Sequence, residues 1–220
     1  MDLIERLQQI DVSALSDADK TLPVADPALR AMIPDLRMAG PAFTVLAVDD
    51  HLPVMAALAE SAPGDVLVIA TGGSERAVFG ELFATEARRR GLAGIVADGY
   101  CRDLRGLRQI GLPVFARGTT PRSGSTASRA TSGATIAVGG VDVSPGDIVF
   151  GDDDGLLIAA AERIAAALDT AELIGRSERA ILAAQAQGEA LHSLTNYDEH
   201  VAALDHDEPS ALEFRVDERR

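Results

Sequence analysis

The chain reads as an α/β protein in which a mixed central sheet is flanked by helices, an α/β/α or β/β/α sandwich. Three observations carry that reading. Through the first half, short apolar, β-branched runs alternate with helical patterns, the order that builds parallel βαβ units. From residue 136 onward the strands crowd together between Gly, Pro and Asp turns, which suits antiparallel hairpins. A long Ala-rich stretch, 160–187, then reads as one helix.

Taken in order, Leu3, Ile4, Leu7 and Ile10 share one face of an opening helix, and Ser13 is placed to cap a second that runs to Ala18. Residues 42–48 form a buried strand. Pro53 opens a helix over 54–61, because a first turn does not need proline's missing N–H, and Pro63-Gly64-Asp65 stops it. Val66 to Ala70 is the clearest strand. After the loop Thr71 to Ser74 comes a helix ending on Arg88-Arg89-Arg90-Gly91, three cations at the negative end of the dipole with glycine just beyond. A strand over 93–97, the turn Asp98-Gly99, a helix ending near Ile110 and a strand over 114–116 complete the first half. Residues 117–133 are rich in Gly, Ser and Thr and read as a loop. Strands follow around 136–138, 141–143, 148–150 and 156–158. The tail over about 190–220 is a terminal helix with a frayed acidic end, and no linker or repeat splits 1–220 into more than one domain.

A chain of 220 residues with 47% apolar and 25% charged content can bury a substantial core. Aromatics are only 4% and Trp is absent, so that core rests on Ala, Val, Leu and Ile. The net charge of −14 argues against a nucleic-acid partner, which is held by Lys and Arg against phosphate. A lone cysteine, Cys101, excludes an internal disulfide and multi-Cys zinc patterns. The N-terminus has no apolar leader core, and no apolar run approaches the ~18 residues of a membrane span. A cytoplasmic protein without a membrane partner is expected.

The chemistry concentrates at two places. Glu81 sits in Gly80-Glu81-Leu82-Phe83, and twenty residues separate it from the pair Arg102-Asp103. If two neighbouring strand–loop–helix connections carry these segments, three charges meet. Gly80 suits the start of a helix, whose free amides attract a carboxylate. The guanidinium then pairs with a substrate carboxylate, while the acids hold a divalent cation or its waters. Each segment alone has a plainer reading: a close-packed glycine, a capping aspartate, a solvated arginine. No lysine but Lys20 exists, so a Schiff base has no amine near this cluster. His51, His192, His200 and His206 lack metal-ligand spacing and read as structural or exposed. Asp152 to Asp154 lack the continuation of a calcium loop and read as a tight turn. Cys101 reads as a packing residue.

The Glu81, twenty-residue spacer and Arg102-Asp103 pattern resembles the family that contains 4-hydroxy-4-methyl-2-oxoglutarate aldolase and the regulator of ribonuclease activity A. The flanks agree: 91–99, 112–116, Pro121-Arg122-Ser123-Gly124, 139–143, 145–149 and 152–155, so that the resemblance spans about residues 35–175. It implies a swivelling β/β/α (RraA-like) fold and a class II lyase dependent on Mg²⁺ or Mn²⁺ that cleaves 4-carboxy-4-hydroxy-2-oxoacids and decarboxylates oxaloacetate. By the same resemblance the amides of Gly80, Glu81, Leu82 and Phe83 bind the carboxylate of a pyruvoyl group, and Arg102 binds its keto oxygen. Asp103 holds the metal, and Glu81 holds a metal-bound water. The family assembles as trimers or hexamers with an acid contributed by a neighbouring subunit. The tail diverges here, and Glu189, or less well Glu199, is the candidate. Arg117, Arg122 and Arg129 are candidates for a distal carboxylate, with a solvated basic loop as the alternative. The family's other branch implies a non-catalytic protein that binds and inhibits ribonuclease E.

Overall fold

The computed structural model describes residues 1–128 and 132–215. Two short helices, α1 (Leu3–Leu7) and α2 (Val12–Ala18), precede the strands β1 (Arg30–Ala31) and β2 (Met38–Leu46). Then come α3 (Leu52–Glu60), β3 (Val66–Ala70), β4 (Ala77–Phe79), α4 (Glu81–Arg90), β5 (Gly94–Cys101), α5 (Leu104–Ile110) and β6 (Val114–Thr119). The second half contributes β7 (Ile136–Val138), β8 (Val141–Val143), β9 (Ile148–Asp152), β10 (Gly155–Ala159), the long α6 (Ala161–Ala186), a 3-10 turn Leu191–Leu194 and α7 (Tyr197–Asp205).

The sheet is mixed, in the order β1-β6-β5-β3-β2-β9-β10, with β4 paired to the far end of β5. Its two edges, β1 and β10, come together, so the sheet curls into a nearly closed barrel. β2 joins the two halves. Met38 to Pro41 run antiparallel to β9, and Ala42 to Leu46 run parallel to β3. Pro41, which has no N–H to donate, sits where one pairing gives way to the other. β3 is buried at all five residues, as a strand covered on both faces must be.

Three apolar clusters fill the layers. α3, α4 and α5 press Val54, Leu58, Ala84 and Leu107 onto one face, over Leu67, Ile69 and Ile95. The other face closes on Val68, Val96 and Phe115, in one cluster with Val138 and Val143 of the β7–β8 hairpin. α1, α2 and α6 cover β9 and β10 through Leu7, Leu15, Ile164 and Leu168. Removing a fully buried side chain such as Leu107 or Leu15 to alanine costs about 2–5 kcal/mol in such surroundings. Among the described residues no helix is long and apolar enough to cross a membrane.

Several expectations need correction. The second helix has Asp11 at its N-cap position with no side-chain cap bond, so Ser13 lies inside the helix rather than capping it. β2 starts at Met38, four residues before the expected strand, because pairing with β9 extends it. Asp98-Gly99 is strand, not turn: β5 continues to Cys101, and the Asp98 carboxylate accepts from Arg117 and from the Gly139 amide. β6 likewise takes residues 117–119 out of the expected loop.

Candidate active site

The site is made by β4, a strand of three residues. It pairs in parallel with the end of β5, Ala77 against Tyr100 and Phe79 against Cys101, and the Arg102 amide donates to the Phe79 carbonyl at 3.2 Å. The two strands therefore release their chains side by side, one into Gly80 and α4, the other into Arg102-Asp103 and α5. Ligands of open α/β sheets collect at such carboxyl ends. β6 ends beside them, with the Thr120 amide donating to the Cys101 carbonyl at 3.0 Å.

Gly80 is the N-cap of α4 in extended conformation. A Cβ there would lie against the Asp103 carboxylate and 2.8 Å from Arg102 Cγ, so only glycine leaves room for the pair. The Glu81 amide donates weakly to Asp103 Oδ2 at 3.3 Å. Among the described residues the Leu82 and Phe83 amides meet no protein acceptor, the state expected of a helix start able to take an anion. The Glu81 side chain lies across to α5, against Gly106, where a Cβ would again collide with the carboxylate.

Asp103 is the N-cap of α5 and adopts φ 59°, ψ 39°, the left-handed region. A non-glycine residue there costs of the order of 1–2 kcal/mol, less for Asp than for most. Its ion pair with Arg102, Nε to Oδ2 at 3.3 Å, joins side chains 37% and 42% exposed, and such a pair returns at most about 1 kcal/mol. Strain plus a weak pair is a poor way to stabilise a turn. It is a good way to hold a carboxylate and a guanidinium toward a ligand.

His51, Gly80, Leu82, Phe83, Arg102 and Asp103 line a hollow of about 20 Å³. A second cleft of about 310 Å³ shares Arg102 and Asp103 and extends along Leu104, Thr119, Thr120 and Pro121. Leu82, 78% exposed, and Phe83 border an apolar groove with Met55, Leu58 and Ala59. Cys101 is fully buried behind the site, and burial pushes its thiol up to about 11, which leaves it protonated and inert at neutral pH.

Gly80, Arg102 and Asp103 thus come together, with the Glu81 amide on Asp103 and the Glu81 carboxylate turned onto Gly106 of α5. Other candidates do not join them. Arg117 is spent on Asp98 and on Asp26, 2.8 Å away, which removes it as a distal-carboxylate ligand. Arg122 is exposed, 3.7 Å from Glu75. Arg129 lies outside the described residues. Glu199 pairs with Arg215 at 2.8 Å. Glu189 is exposed just past α6, and among the described residues its side chain makes no hydrogen bond or ion pair. His51, read from the sequence as structural or exposed, lies at the edge of the site. Its Nδ1 lies 2.8 Å from the Val78 carbonyl and its Nε2 2.9 Å from Ser123 Oγ, and the ring stacks on Phe83 with centroids 5.7 Å apart. Its partners are a backbone carbonyl and a serine 72 positions away, so no local spacing marked it.

Among the described residues no three His, Cys, Asp or Glu side chains converge as a ready-made cation cage. Asp103 at the cleft and Glu81 on the adjoining helix still suit a hard cation of the Mg²⁺ type, which keeps most of its waters and takes only one or two carboxylates. They do not fit a structural zinc site.

Known proteins place the same chain. A 35% identical protein of Halalkalibacterium halodurans, provisionally named 4-hydroxy-4-methyl-2-oxoglutarate aldolase, aligns over 160 residues, 72% of this chain and 76% of its own. A structure from Pseudomonas syringae pv. tomato superposes with a TM-score of 0.77 at 25% identity, covering 87% of this chain and 95% of that one. The RNA-processing inhibitor RraA of Thermus superposes with a TM-score of 0.63 at 30% identity, over 67% of this chain and 91% of its own. The family model for RraA-like proteins, described as Aldolase/RraA, matches residues 12–158, and with the fold and these relatives in agreement the chain belongs to the RraA-like family.

Proposed function

We propose that this protein is a divalent-metal-dependent aldolase that cleaves 4-hydroxy-4-methyl-2-oxoglutarate-type substrates to pyruvate through an enolate, and that it also decarboxylates oxaloacetate. The supporting observation is the convergence, at adjacent parallel strand ends, of the α4 amides with Arg102 and Asp103. The amides of Gly80 to Phe83 seat the C1 carboxylate of the 2-oxoacid. Arg102 donates to its C2 oxygen. As the C3–C4 bond breaks, its electron pair becomes the C2–C3 double bond and the former carbonyl pair moves onto the C2 oxygen. A fixed guanidinium binds that oxyanion more tightly than the ground-state ketone, so it lowers the barrier. The C4 hydroxyl loses its proton as the new carbonyl forms, and C3 later gains one. Glu81, through a water, is the group we assign to both. Asp103 would hold the Mg²⁺ or Mn²⁺, with Glu81 reaching it through water. When bound, the cation supplies Lewis-acid stabilisation of the same oxyanion. In decarboxylation of oxaloacetate the departing group is CO₂ and the same enolate remains.

A second copy of the chain, in a homotrimer or hexamer, would bring Glu189 to the site. The test is pyruvate release from oxaloacetate, with and without chelator, in wild type and Asp103→Ala. Turnover should vanish with chelator and fall by about 10²-fold or more in the variant. Equal background rates in all arms would overturn the lyase. They would favour the second reading, a non-catalytic ribonuclease E inhibitor, which the likeness to the Thermus protein supports and which an inhibition assay with ribonuclease E would read directly.

A further inference from the structure

We infer that His51 is a positioning residue for the carboxylate-binding amides, acting through Val78, Ser123 and Phe83; the inference rests on the oxoacid reading above. A carbonyl oxygen only accepts, so the bond to Val78 puts the proton of the neutral ring on Nδ1. Nε2 is then an acceptor 2.9 Å from the Ser123 hydroxyl, whose single hydrogen it shares with the Gly124 carbonyl at 3.2 Å. Val78 lies two residues before Gly80, on the strand that delivers the site. Ser123 belongs to the segment that runs beside that strand, with the Ala77 amide donating to the Arg122 carbonyl at 2.8 Å and the Gly124 amide donating to Ala77 at 3.3 Å. The ring face rests on Phe83, 25° from parallel, and Phe83 carries one of the amides without a protein acceptor. One imidazole thus holds strand, loop and helix start in register around the hollow it lines with Gly80 and Arg102.

The histidine is itself held from behind. Asp50, fully buried, accepts from the Leu52 amide at 2.8 Å, from Ser125 Oγ at 2.6 Å, and from the Ala127 and Ser128 amides at 2.7 and 2.9 Å. The His51 amide adds a bond to the Ser125 carbonyl at 2.9 Å. The backbone of residue 51 is therefore fixed independently of its side chain, and removing the ring releases β4 and Phe83 without unpinning the loop.

If the ring positions the amides and does no chemistry, its loss weakens binding of the pyruvoyl carboxylate in ground and transition state alike, and the loss appears in KM rather than kcat. The measurement is calorimetric titration with pyruvate in the presence of Mg²⁺, together with steady-state decarboxylation of oxaloacetate. It uses wild type, His51→Ala, His51→Asn and Ser123→Ala, with thermal melting as a check on folding. Two hydrogen bonds and a stacked face predict about a tenfold weaker pyruvate Kd and a matching rise in KM for His51→Ala, with kcat within about twofold. His51→Asn, whose amide nitrogen sits near the place of Nδ1 and still donates to Val78, should recover most of the loss. Ser123→Ala should lose about threefold, and it carries the test if His51→Ala does not fold. Wild-type affinity in a folded His51→Ala or, failing that, in Ser123→Ala overturns the inference, as does a fall confined to kcat. Wild type that neither binds pyruvate nor turns over oxaloacetate takes down the lyase reading, and this inference with it.

Discussion

Two acidic turns, one at Asp103 and one at Asp152 to Asp154, end strands of the same sheet and serve opposite ends. At the β9–β10 hairpin two of the three carboxylates are occupied by the chain itself: Asp152 accepts from the Val12 amide at 2.9 Å and the Asp154 amide at 3.0 Å, and Asp153 accepts from the Asp35 amide at 3.0 Å. These acids fasten α2 and the segment before β2 onto the hairpin. The adjoining cavity, about 470 Å³, is the larger hollow, yet its Asp152 and Asp153 already accept from backbone amides and its Arg37 is paired with Asp11. At Asp103 the order is reversed: a small hollow, a left-handed backbone, and a carboxylate with only two long contacts, both 3.3 Å. Under the proposed function, number of carboxylates and size of cavity do not mark the site; a carboxylate in a left-handed turn beside open helix amides does.

The contrast can be broken experimentally. Arg102→Ala should remove the oxyanion donor and lower kcat/KM for oxaloacetate by about 10²–10³-fold, with little change in melting temperature because the ion pair it loses is half-exposed. An unaltered rate would place the chemistry elsewhere. Gly106→Ala is a finer probe. It should favour α5 by up to about 1 kcal/mol through helix propensity while pushing the Glu81 carboxylate aside, so activity should fall about tenfold as stability holds or rises. Joint loss of both would make Gly106 a packing residue. Asp152→Ala, at the other turn, should cost about 1–3 kcal/mol in urea denaturation, since the Val12 amide loses its acceptor, and should leave the kinetic constants of the folded protein unchanged. A kinetic defect there would erase the distinction drawn between the turns.

Much of this arrangement was legible before any coordinates. The glycine at 91 in the left-handed region and the arginines before it ended α4 where expected, and the all-apolar Val66–Ala70 run became the buried β3. The spacing of Glu81 from Arg102-Asp103 carried meaning only if their two connections were neighbours, and β4 and β5 supply that adjacency. What escaped was short or non-local. β4 has three residues and follows a Gly-Gly-Ser loop, too little for a period to register. Asp98-Gly99 had turn chemistry, but tertiary partners overrode it: Arg117 neutralises the aspartate, and Gly99 lets the backbone approach Thr71 closely. His51 looked solitary because its partners arrive from Val78 and Ser123.

The Asp50 anchor bears on acid tolerance. Burial alone would push this carboxyl up, but the donors from Ser125, Ala127, Leu52 and Ser128 outweigh it and hold the group well below the ordinary carboxylate range. An acid whose folded value is depressed contributes its full share above its unfolded value and surrenders it only as the medium becomes acidic enough to protonate the native form. The Asp50 contribution to the seam that carries His51 therefore persists through neutral and mildly sour conditions alike, and is lost only in strong acid.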